Sequence, residues 1–442
     1  MSLIEKLDTY CIIGAGSSGI TAGKNFKERG IPFDIVERED EIGGNWYYGK
    51  PNSSVYKSTH LISSKTMTAY TDYAMPDDYP HYPSHQQVCD YLRSYARHFG
   101  LYPHIAFNTS VENITRMDEG YWDVQLSNGE TRRYAGVVIC NGHNWDPKFP
   151  SYPGTFDGLV LHSAEYKTPD VLAGKRVLVV GAGNSGCDIV VEAAQNAEKT
   201  FHSTRRGYWY VPKYAFGRPA DVINETPIRL GLPVWARRVI NGAILNILVG
   251  DFRNYGLRKP DHKLLQTHPI INQHILYYMG HGMITPKPDV AELCGDSVKF
   301  KDGTVEPIDV IIYATGFNIT FKFIDQKYLN WNKTHPDLYI NVFHPQYDNL
   351  FCVGLIQPDS GQFWIADLQS QLIASFIAAA QQGSPAADEF RRLKATERPD
   401  LGGGIRYLES TRHYLEIEHG SYRARIKKLL KLFEKAPAVA GR

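Results

Sequence analysis

Three features of the sequence predict an α/β fold made of two Rossmann-like dinucleotide-binding units, the second inserted in the first. Residues 11–16 and residues 177–183 each run from a short apolar strand into a turn of the form G-x-G-x-x-G. A segment compatible with a helix follows each turn, which is the order of strand, tight turn and helix that a dinucleotide site requires. A later apolar run that ends in glycine, residues 310–316, is interpreted as the return of the chain to the first unit.

Length, charge and apolar runs limit the class of protein. The chain has 442 residues and a net charge of +1, so charge gives no reason to expect a nucleic-acid partner or binding to an anionic membrane. An apolar strand begins near residue 10, which leaves no room for an export signal. The apolar run 243–249 is far shorter than the roughly 20 residues that cross a bilayer. We therefore expect a cytoplasmic protein without a membrane anchor, and leave a homodimer open.

The first unit continues through elements that follow its glycine turn. The β-favouring residues 33–37 end in Glu37, 18 positions after Gly19, and this spacing predicts a second strand that presents a carboxylate to a ribose. Residues 122–126, followed by Asn128 and Gly129, predict a hairpin, and residues 136–142 predict a buried strand. The proline-rich residues 147–153 cannot form a helix and mark a crossing between the units.

These elements give a division of the chain. The first unit is expected to be discontinuous, comprising residues 1–165 and 300–382. The second unit is expected at residues 166–299, with a helical and irregular insertion at residues 212–285 that is rich in Pro, Tyr and Ile. Residues 383–442 are expected to form a helical C-terminal segment that packs on the first unit.

The first glycine turn has the residues that a pyrophosphate site needs. Gly14 permits the tight turn, Gly16 lets the backbone approach the pyrophosphate, and Gly19 lets helix and strand pack closely. The N-terminus of the following helix supplies free N–H groups and the positive end of a dipole. Shortly after the second strand, residues 41–46 contain a glycine pair and Trp46, which could form the flat wall that a flavin ring needs.

The second glycine turn, built on Gly181, Gly183 and Gly186, has a different continuation. Arg205 lies 19 residues after Gly186, next to Arg206 and preceded by Thr204, and no acidic residue ends that strand. Guanidinium groups and a hydroxyl there suit a 2′-phosphate, whereas a ribose hydroxyl would call for Asp or Glu. The pattern therefore favours NADPH over NADH.

Together with both glycine turns, two further motifs make the chain resemble the flavin-containing monooxygenases. One is the stretch Phe156-x-Gly158-x-x-x-His162-Ser163-x-x-Tyr166, and the other is residues 314–317. The resemblance covers nearly the whole chain. It implies an enzyme that binds FAD and NADPH, adds O₂ to form a flavin C4a-hydroperoxide, and transfers one oxygen to a small-molecule soft nucleophile such as a sulfide or an amine. The flavin supplies the difficult chemistry, and the protein positions and protects it.

The resemblance also assigns residues to the two cofactors, and it implies no metal ligand. The FAD site would comprise Gly14, Gly16, Gly19, Glu37, Gly44, Asn45, Trp46, the backbone of Val111, and Gln357. The NADPH site would comprise Tyr166, Gly181, Gly183, Asn184, Ser185, Gly186, Thr204, Arg205 and Arg206. For His162 we expect a structural role, as a hydrogen-bonded residue that ties the linker to the sheet.

The chain departs from the family pattern at Ile62. Members of the family usually carry Asn three residues before the lysine that is Lys65 here, and its amide is thought to hold NADP⁺ and the oxygenated flavin. Ile62 has no side-chain hydrogen-bond donor. The hydroperoxide lifetime and the usual range of nitrogen substrates of the family therefore cannot be assumed for this chain. His60 and Ser63 are the polar candidates in this active-site lining that could replace the amide in part.

Other classes compete with this interpretation. Disulfide reductases need a cysteine pair beside the flavin, and none follows Gly44 before Cys89, so that class is excluded. Baeyer–Villiger monooxygenases, which act on ketones, share both cofactors, but their linker motif ends in Trp where this chain has Tyr166. A partly uncoupled NADPH oxidase would be favoured by Ile62. A non-catalytic dinucleotide-binding sensor would not need both cofactor sites.

Overall fold

A computed structural model describes residues 3–410 and 413–434 of the chain. The first glycine turn follows the central strand of a seven-stranded sheet. Four of its strands continue the parallel pattern on either side of Leu3–Ile13, and two antiparallel strands extend it. In spatial order the strands are Ile105–Ala106, Phe33–Val36, Leu3–Ile13, Thr131–Ile139, Trp122–Leu126 and Val111–Arg116, with Leu350–Cys352 also paired to Thr131–Ile139.

The second glycine turn follows the central strand of a separate five-stranded sheet in which every pairing is parallel. In spatial order its strands are Ile284–Lys287, Lys199–Ser203, Arg176–Val180, Val310–Tyr313 and Leu159–His162. A separate small sheet has four strands, and these precede or alternate in sequence with strands of the five-stranded sheet. They are Gly154–Phe156, Val290–Gly295, Ser297–Phe300 and Val305–Pro307.

The interpretation of residues 310–316 as the return to the first unit is wrong. Val310–Tyr313 pairs with Arg176–Val180 and with Leu159–His162, both in the second sheet. The chain returns only at Leu350–Cys352, which pairs with Thr131–Ile139. The second sheet thus begins at residue 159 and ends at residue 313, not within residues 166–299. Both strands are short, apolar and buried on both faces, so their composition carries no information about which parallel sheet they join.

Some helices pack against the sheets, and others form the insertion and the C-terminal segment. Ser17–Glu28 and Asn184–Asn196 follow the glycine turns directly. The insertion, as expected, is helical and irregular, and it runs between the strands Lys199–Ser203 and Ile284–Lys287. The helices are Ser17–Glu28, Lys65–Thr68, His85–His98, Asn184–Asn196, Ala220–Arg229, Val234–Leu248, His274–Gly280, Phe363–Gln381, Pro385–Thr396 and His419–Glu434.

The longest apolar helix, Phe363–Gln381, is part of the core of the first unit. By length and composition it could cross a membrane, but 83% of its apolar window is buried inside the molecule. It packs against Ser17–Glu28 on one side and against His419–Glu434 on the other. The C-terminal residues Ile417, Tyr422 and Ile426 thereby join the same hydrophobic cluster as the first sheet.

A buried network of charges ties the insertion to this C-terminal helix. His419 lies between two carboxylates, with Nδ1 2.7 Å from Asp359 Oδ1 and Nε2 2.8 Å from Glu225 Oε2. Arg423 donates to Glu225 at 3.0 Å, and Arg237 donates to Glu418 at 3.0 Å. Burial opposes the charge on His419, but Asp359 and Glu225 outweigh it and raise its pKa to about 10. His419 is therefore protonated near neutral pH.

We expect His419→Gln to lower the free energy of unfolding by about 3–5 kcal/mol, because it leaves Asp359 without its cation and removes one of the cations paired with the buried Glu225. The His419 contribution is present below its ordinary pKa of 6.5 and is lost as pH rises through about 10, the pKa in the folded state. Urea unfolding at pH 7 and above pH 10 measures this. The exposed His281→Gln serves as the control, and an equal His419→Gln effect at both pH values would contradict the assignment.

Candidate functional site

Both glycine turns open onto one cavity of about 1500 Å³. In each unit the turn joins the carboxyl end of a central parallel strand to a helix N-terminus, the place where open α/β sheets bind their ligands. The first-unit wall includes Gly14, Gly16 and Glu37, and the second-unit wall includes Gly183 and Arg205. A ligand in one unit can therefore reach a ligand in the other without leaving the cavity.

The first turn has space for backbone alone. Gly14 has φ +100°, a conformation that side chains rarely adopt, and a Cβ built on Gly19 would lie 1.8 Å from the Gly14 carbonyl oxygen. The helix that starts at Ser17 has no side-chain cap, and Ser17 and Ser18 line the cavity. Its first N–H groups are thus open to an anion, as a pyrophosphate requires.

The glycine pair of residues 43 and 44 packs on this turn. A Cβ built on Gly44, which has φ +53°, would lie 2.9 Å from Gly16 Cα. Asn45 accepts hydrogen bonds from the backbone N–H and the hydroxyl of Ser54 at 2.7 and 2.8 Å. Its side chain therefore fixes the neighbouring loop, while Asn45 and Trp46 both line the cavity.

Glu37 stands at the end of the second strand, as its spacing predicts. Its Oε2 accepts the Ala15 N–H at 2.6 Å and its Oε1 accepts the Glu39 N–H at 2.9 Å. Burial raises the pKa of this carboxyl, although both hydrogen bonds favour the ionised form. The carboxylate is thus fixed against the glycine turn and lines the cavity, as do Val111 and Gln357.

The second turn repeats this geometry. Gly181 has φ +121°, and a Cβ on Gly186 would lie 2.2 Å from the Gly181 carbonyl oxygen. Gly181, Gly183 and Ser185 line the cavity. The side chain of Asn184 is engaged with the insertion, because it donates to Pro269 O at 3.1 Å and accepts the Ile271 N–H at 2.7 Å. These two hydrogen bonds fix the Asn184 side chain in the cavity wall.

The candidates for NADPH differ in their access to the cavity. Arg205 and Arg206 line it, and Arg206 lies 3.7 Å from Asp261 in an exposed ion pair. Thr204, by contrast, is not among the residues of the wall.

Tyr166 departs from its expected position in the NADPH site. The side chain is fully buried, its ring packs against Tyr56, and its hydroxyl donates to Glu192 at 2.5 Å. Tyr166 therefore contacts the helix that follows the second turn, and it is not among the residues that line the cavity.

His162 has the structural role that we expected. Its ring is fully buried, Nδ1 accepts the Ala164 N–H at 3.1 Å, and Nε2 lies 3.1 Å from Gly316 O. Burial lowers the pKa of this histidine. A neutral ring with its proton on Nε2 satisfies both contacts, so His162 ties the linker to the loop after Val310–Tyr313.

Ile62, Ser63 and His60 all line the cavity. The two polar candidates already have hydrogen-bond partners: His60 Nδ1 lies 2.8 Å from Ser58 O, and Ser63 Oγ lies 2.8 Å from Thr68 Oγ1. His60 can still offer Nε2 and Ser63 its remaining hydrogen-bonding capacity.

The insertion holds the segment around Ile62 at two points. Lys213 Nζ donates to Leu61 O at 3.3 Å, and Asp221 Oδ2 accepts the Ser64 N–H at 2.6 Å. These contacts fix the backbone on both sides of Ile62. Sequence analysis missed them, because no motif links residues 213 and 221 to a segment about 150 positions earlier.

Asp188 is a further cavity residue that sequence analysis missed. It accepts hydrogen bonds from Tyr56 Oη at 3.1 Å and from Asn272 Nδ2 at 2.6 Å. Burial raises its pKa, against the effect of Lys213. The sequence could have indicated Asp188 as a cavity residue, because it lies about one turn into the helix that follows the second glycine turn.

The site thus fits two dinucleotides, one of them a flavin, that meet in one cavity. Residues 8–400 match the flavin-binding monooxygenase-like family. The chain belongs to the flavin-containing monooxygenase family. It is 33% identical over 430 residues to flavin-containing monooxygenase 5 of Rattus norvegicus, covering 92% of this chain and 80% of that one. It is 36% identical over 385 residues to flavin-containing monooxygenase 2 of Homo sapiens, covering 82% and 72%.

Solved structures share the fold. S-allyl-L-cysteine S-oxygenase from Allium sativum superposes with a TM-score of 0.66 at 21% identity, covering 98% of this chain and 90% of that one. The closed form of cyclohexanone monooxygenase gives a TM-score of 0.71 at 18% identity, covering 98% and 99%. The two-unit architecture is therefore common to both kinds of monooxygenase.

The protein is accordingly an NADPH- and O₂-dependent monooxygenase with FAD, which transfers one oxygen atom to a soft nucleophile. FAD, reduced by NADPH, supplies the reaction with oxygen when bound. Glu37 and Arg205 both line the cavity onto which the two glycine turns open.

We expect Arg205→Ala and Arg206→Ala each to lower kcat/KM for NADPH by roughly ten- to a hundredfold, since a charged hydrogen bond contributes about 1.5–3 kcal/mol. NADH, which lacks the 2′-phosphate, should hardly be affected. Steady-state kinetics with both cofactors measure this, with the exposed Arg253→Ala as control. Equal losses for NADPH and NADH would show that the arginines do not bind the 2′-phosphate.

Proposed function

We propose that this monooxygenase acts mainly on apolar sulfides and on aromatic substrates such as indole, and that amines are poorer substrates. The observation that supports this is Ile62 in the cavity wall, where the family pattern has an amide. An aliphatic wall favours apolar substrates and leaves a polar nitrogen centre without a hydrogen-bond partner. Sulfoxidation with NADPH and O₂, followed by product analysis, tests the proposal.

The proposal assigns the remaining roles by residue. The FAD site is formed by the first turn together with Glu37, Gly44, Asn45, Trp46, Val111 and Gln357. The NADPH site is formed by the second turn with Ser185, Arg205 and Arg206. Both turns and the residues just named line one cavity, and this supports the assignment.

A partly uncoupled NADPH oxidase is the second candidate, and the same residue favours it. Without an amide at position 62, less of the oxygen activated at the cofactor is expected to reach a substrate. The remainder would leave as hydrogen peroxide. The two candidates therefore differ in the peroxide released per NADPH consumed.

We expect Ile62→Asn to lower the ratio of peroxide to NADPH and to shift preference toward amines. A hydrogen bond contributes about 1 kcal/mol, or up to about 3 if charged, so leakage should fall by roughly five- to a hundredfold. Peroxide, NADPH and product are measured in the same assay, with Ile62→Leu as the control of similar volume. Unchanged leakage and selectivity would mean that Ile62 is only a wall residue.

The protein is further proposed to be a cytoplasmic homodimer. Trp235, Val239 and Ile247 are 69%, 65% and 74% exposed and follow one another at helical spacing along Val234–Leu248. Exposed apolar side chains on one helix are a surface that a second copy of the chain would cover. Sedimentation should show a dimer that Trp235→Glu converts to a monomer, while the exposed Tyr277→Glu does not; a monomeric parent protein would refute this.

A further inference from the structure

One part of the cavity wall carries three ionisable side chains that the oxygenation chemistry does not use. His268 from the insertion and His413 from the C-terminal segment both line the cavity. Their Nδ1 atoms lie 3.3 and 3.4 Å from the two oxygens of one carboxylate, Glu416, whose side chain is fully buried. One histidine thus faces each oxygen of a single buried glutamate.

This group lies between the two cofactor sites. Glu416 pairs with Gln357 in a short parallel ladder, and the Gln357 N–H donates to Leu415 O at 2.6 Å. On the other side, Pro269, next to His268, accepts a hydrogen bond from Asn184 of the second glycine turn. The two rings therefore line the same cavity as the residues assigned to both cofactors.

A neighbouring network shows what a purely structural arrangement looks like here. Two residues further along the chain, Glu418 is paired with Arg237, and both nitrogens of His419 are paired with carboxylates. The ring of His419 therefore has no nitrogen left for a ligand. In the part of the chain that the structure describes, by contrast, no group hydrogen-bonds to Nε2 of His268 or His413.

The contacts of Nδ1 with Glu416 determine what Nε2 of each histidine can bind. Burial disfavours the charge of Glu416, but His268 and His413 outweigh it, so the pKa of Glu416 lies below its ordinary value. A ring that donates its Nδ1–H to this carboxylate presents Nε2 as a hydrogen-bond acceptor when it is neutral. Two acceptors backed by a buried negative charge suit a donor that carries positive charge.

We propose that His268, Glu416 and His413 form a recognition site for a protonated amine that the substrate carries away from the atom to be oxygenated. The histidines contact the ammonium group, and Glu416 is a positioning residue that orients them. The inference rests on oxygenation in this cavity. It adds a substrate class: sulfides that are apolar around the sulfur, as Ile62 favours, and that carry an ammonium group remote from it.

Matched substrates separate recognition from oxygenation. Thioanisole and 4-(methylthio)benzylamine have the same reacting sulfur, and only the second carries an ammonium group. A third sulfide, with trimethylammonium in place of ammonium, keeps the charge and removes the N–H donors. Formation of each sulfoxide is measured with the FAD-loaded enzyme at saturating NADPH, for the parent protein and for His268→Phe, His413→Phe and Glu416→Gln. His281→Phe, on an exposed helix end, is the control.

The parent protein should have a KM for the ammonium sulfide at least about tenfold below that for thioanisole, the effect expected of a charged hydrogen bond. Each of the three variants should raise that KM about tenfold or more and leave thioanisole within about twofold. The trimethylammonium sulfide should lose most of the advantage. His281→Phe should change neither substrate.

Three results would overturn the proposal. The parent protein could fail to prefer the ammonium sulfide, or the variants could affect both sulfides equally, as a structural role would. A raised KM for NADPH in the histidine variants would assign the group to the cofactor instead. Absence of sulfoxide from every substrate would instead count against the proposed sulfide oxygenation.

Discussion

The contact between the first and third glycines of each turn is the constraint on which the rest of the site depends. In both units a Cβ on the third glycine would overlap the carbonyl oxygen of the first, at 1.8 Å in one turn and 2.2 Å in the other. Without this close approach, a helix could not begin directly at the end of the central strand. The open N–H groups at the start of each helix exist because the strand, turn and helix are packed this closely.

Two additions to the paired sheets shape the side of the cavity that faces substrate. The insertion contacts the segment around Ile62 through Lys213 and Asp221, and it supplies His268. The C-terminal segment supplies His413 and pairs with the strand of Gln357. The sheets thus account for cofactor binding, which the family shares. The additions supply further side chains to the cavity wall.

These additions are held in place by charge as well as by apolar packing. His419 connects Asp359, next to the cavity wall, with Glu225 of the insertion. A buried ion pair of this kind contributes little over an apolar contact of the same shape, but removing one partner is costly. Such a network therefore favours one docked arrangement of the insertion. The positions of Lys213 and Asp221 beside Ile62 depend on that arrangement.

By itself, the sequence determined the two glycine turns, the carboxylate of Glu37 and the arginines after the second turn. These are local features, in which a fixed spacing within one strand, turn and helix produces one geometry. Only the tertiary structure decided that Val310–Tyr313 belongs to the second sheet and that Tyr166 is buried against Tyr56 and Glu192. It alone brought His268 and His413 to one carboxylate. Pairing between distant strands and loops depends on the packing of the whole chain, and short apolar strands carry no mark of the sheet they join.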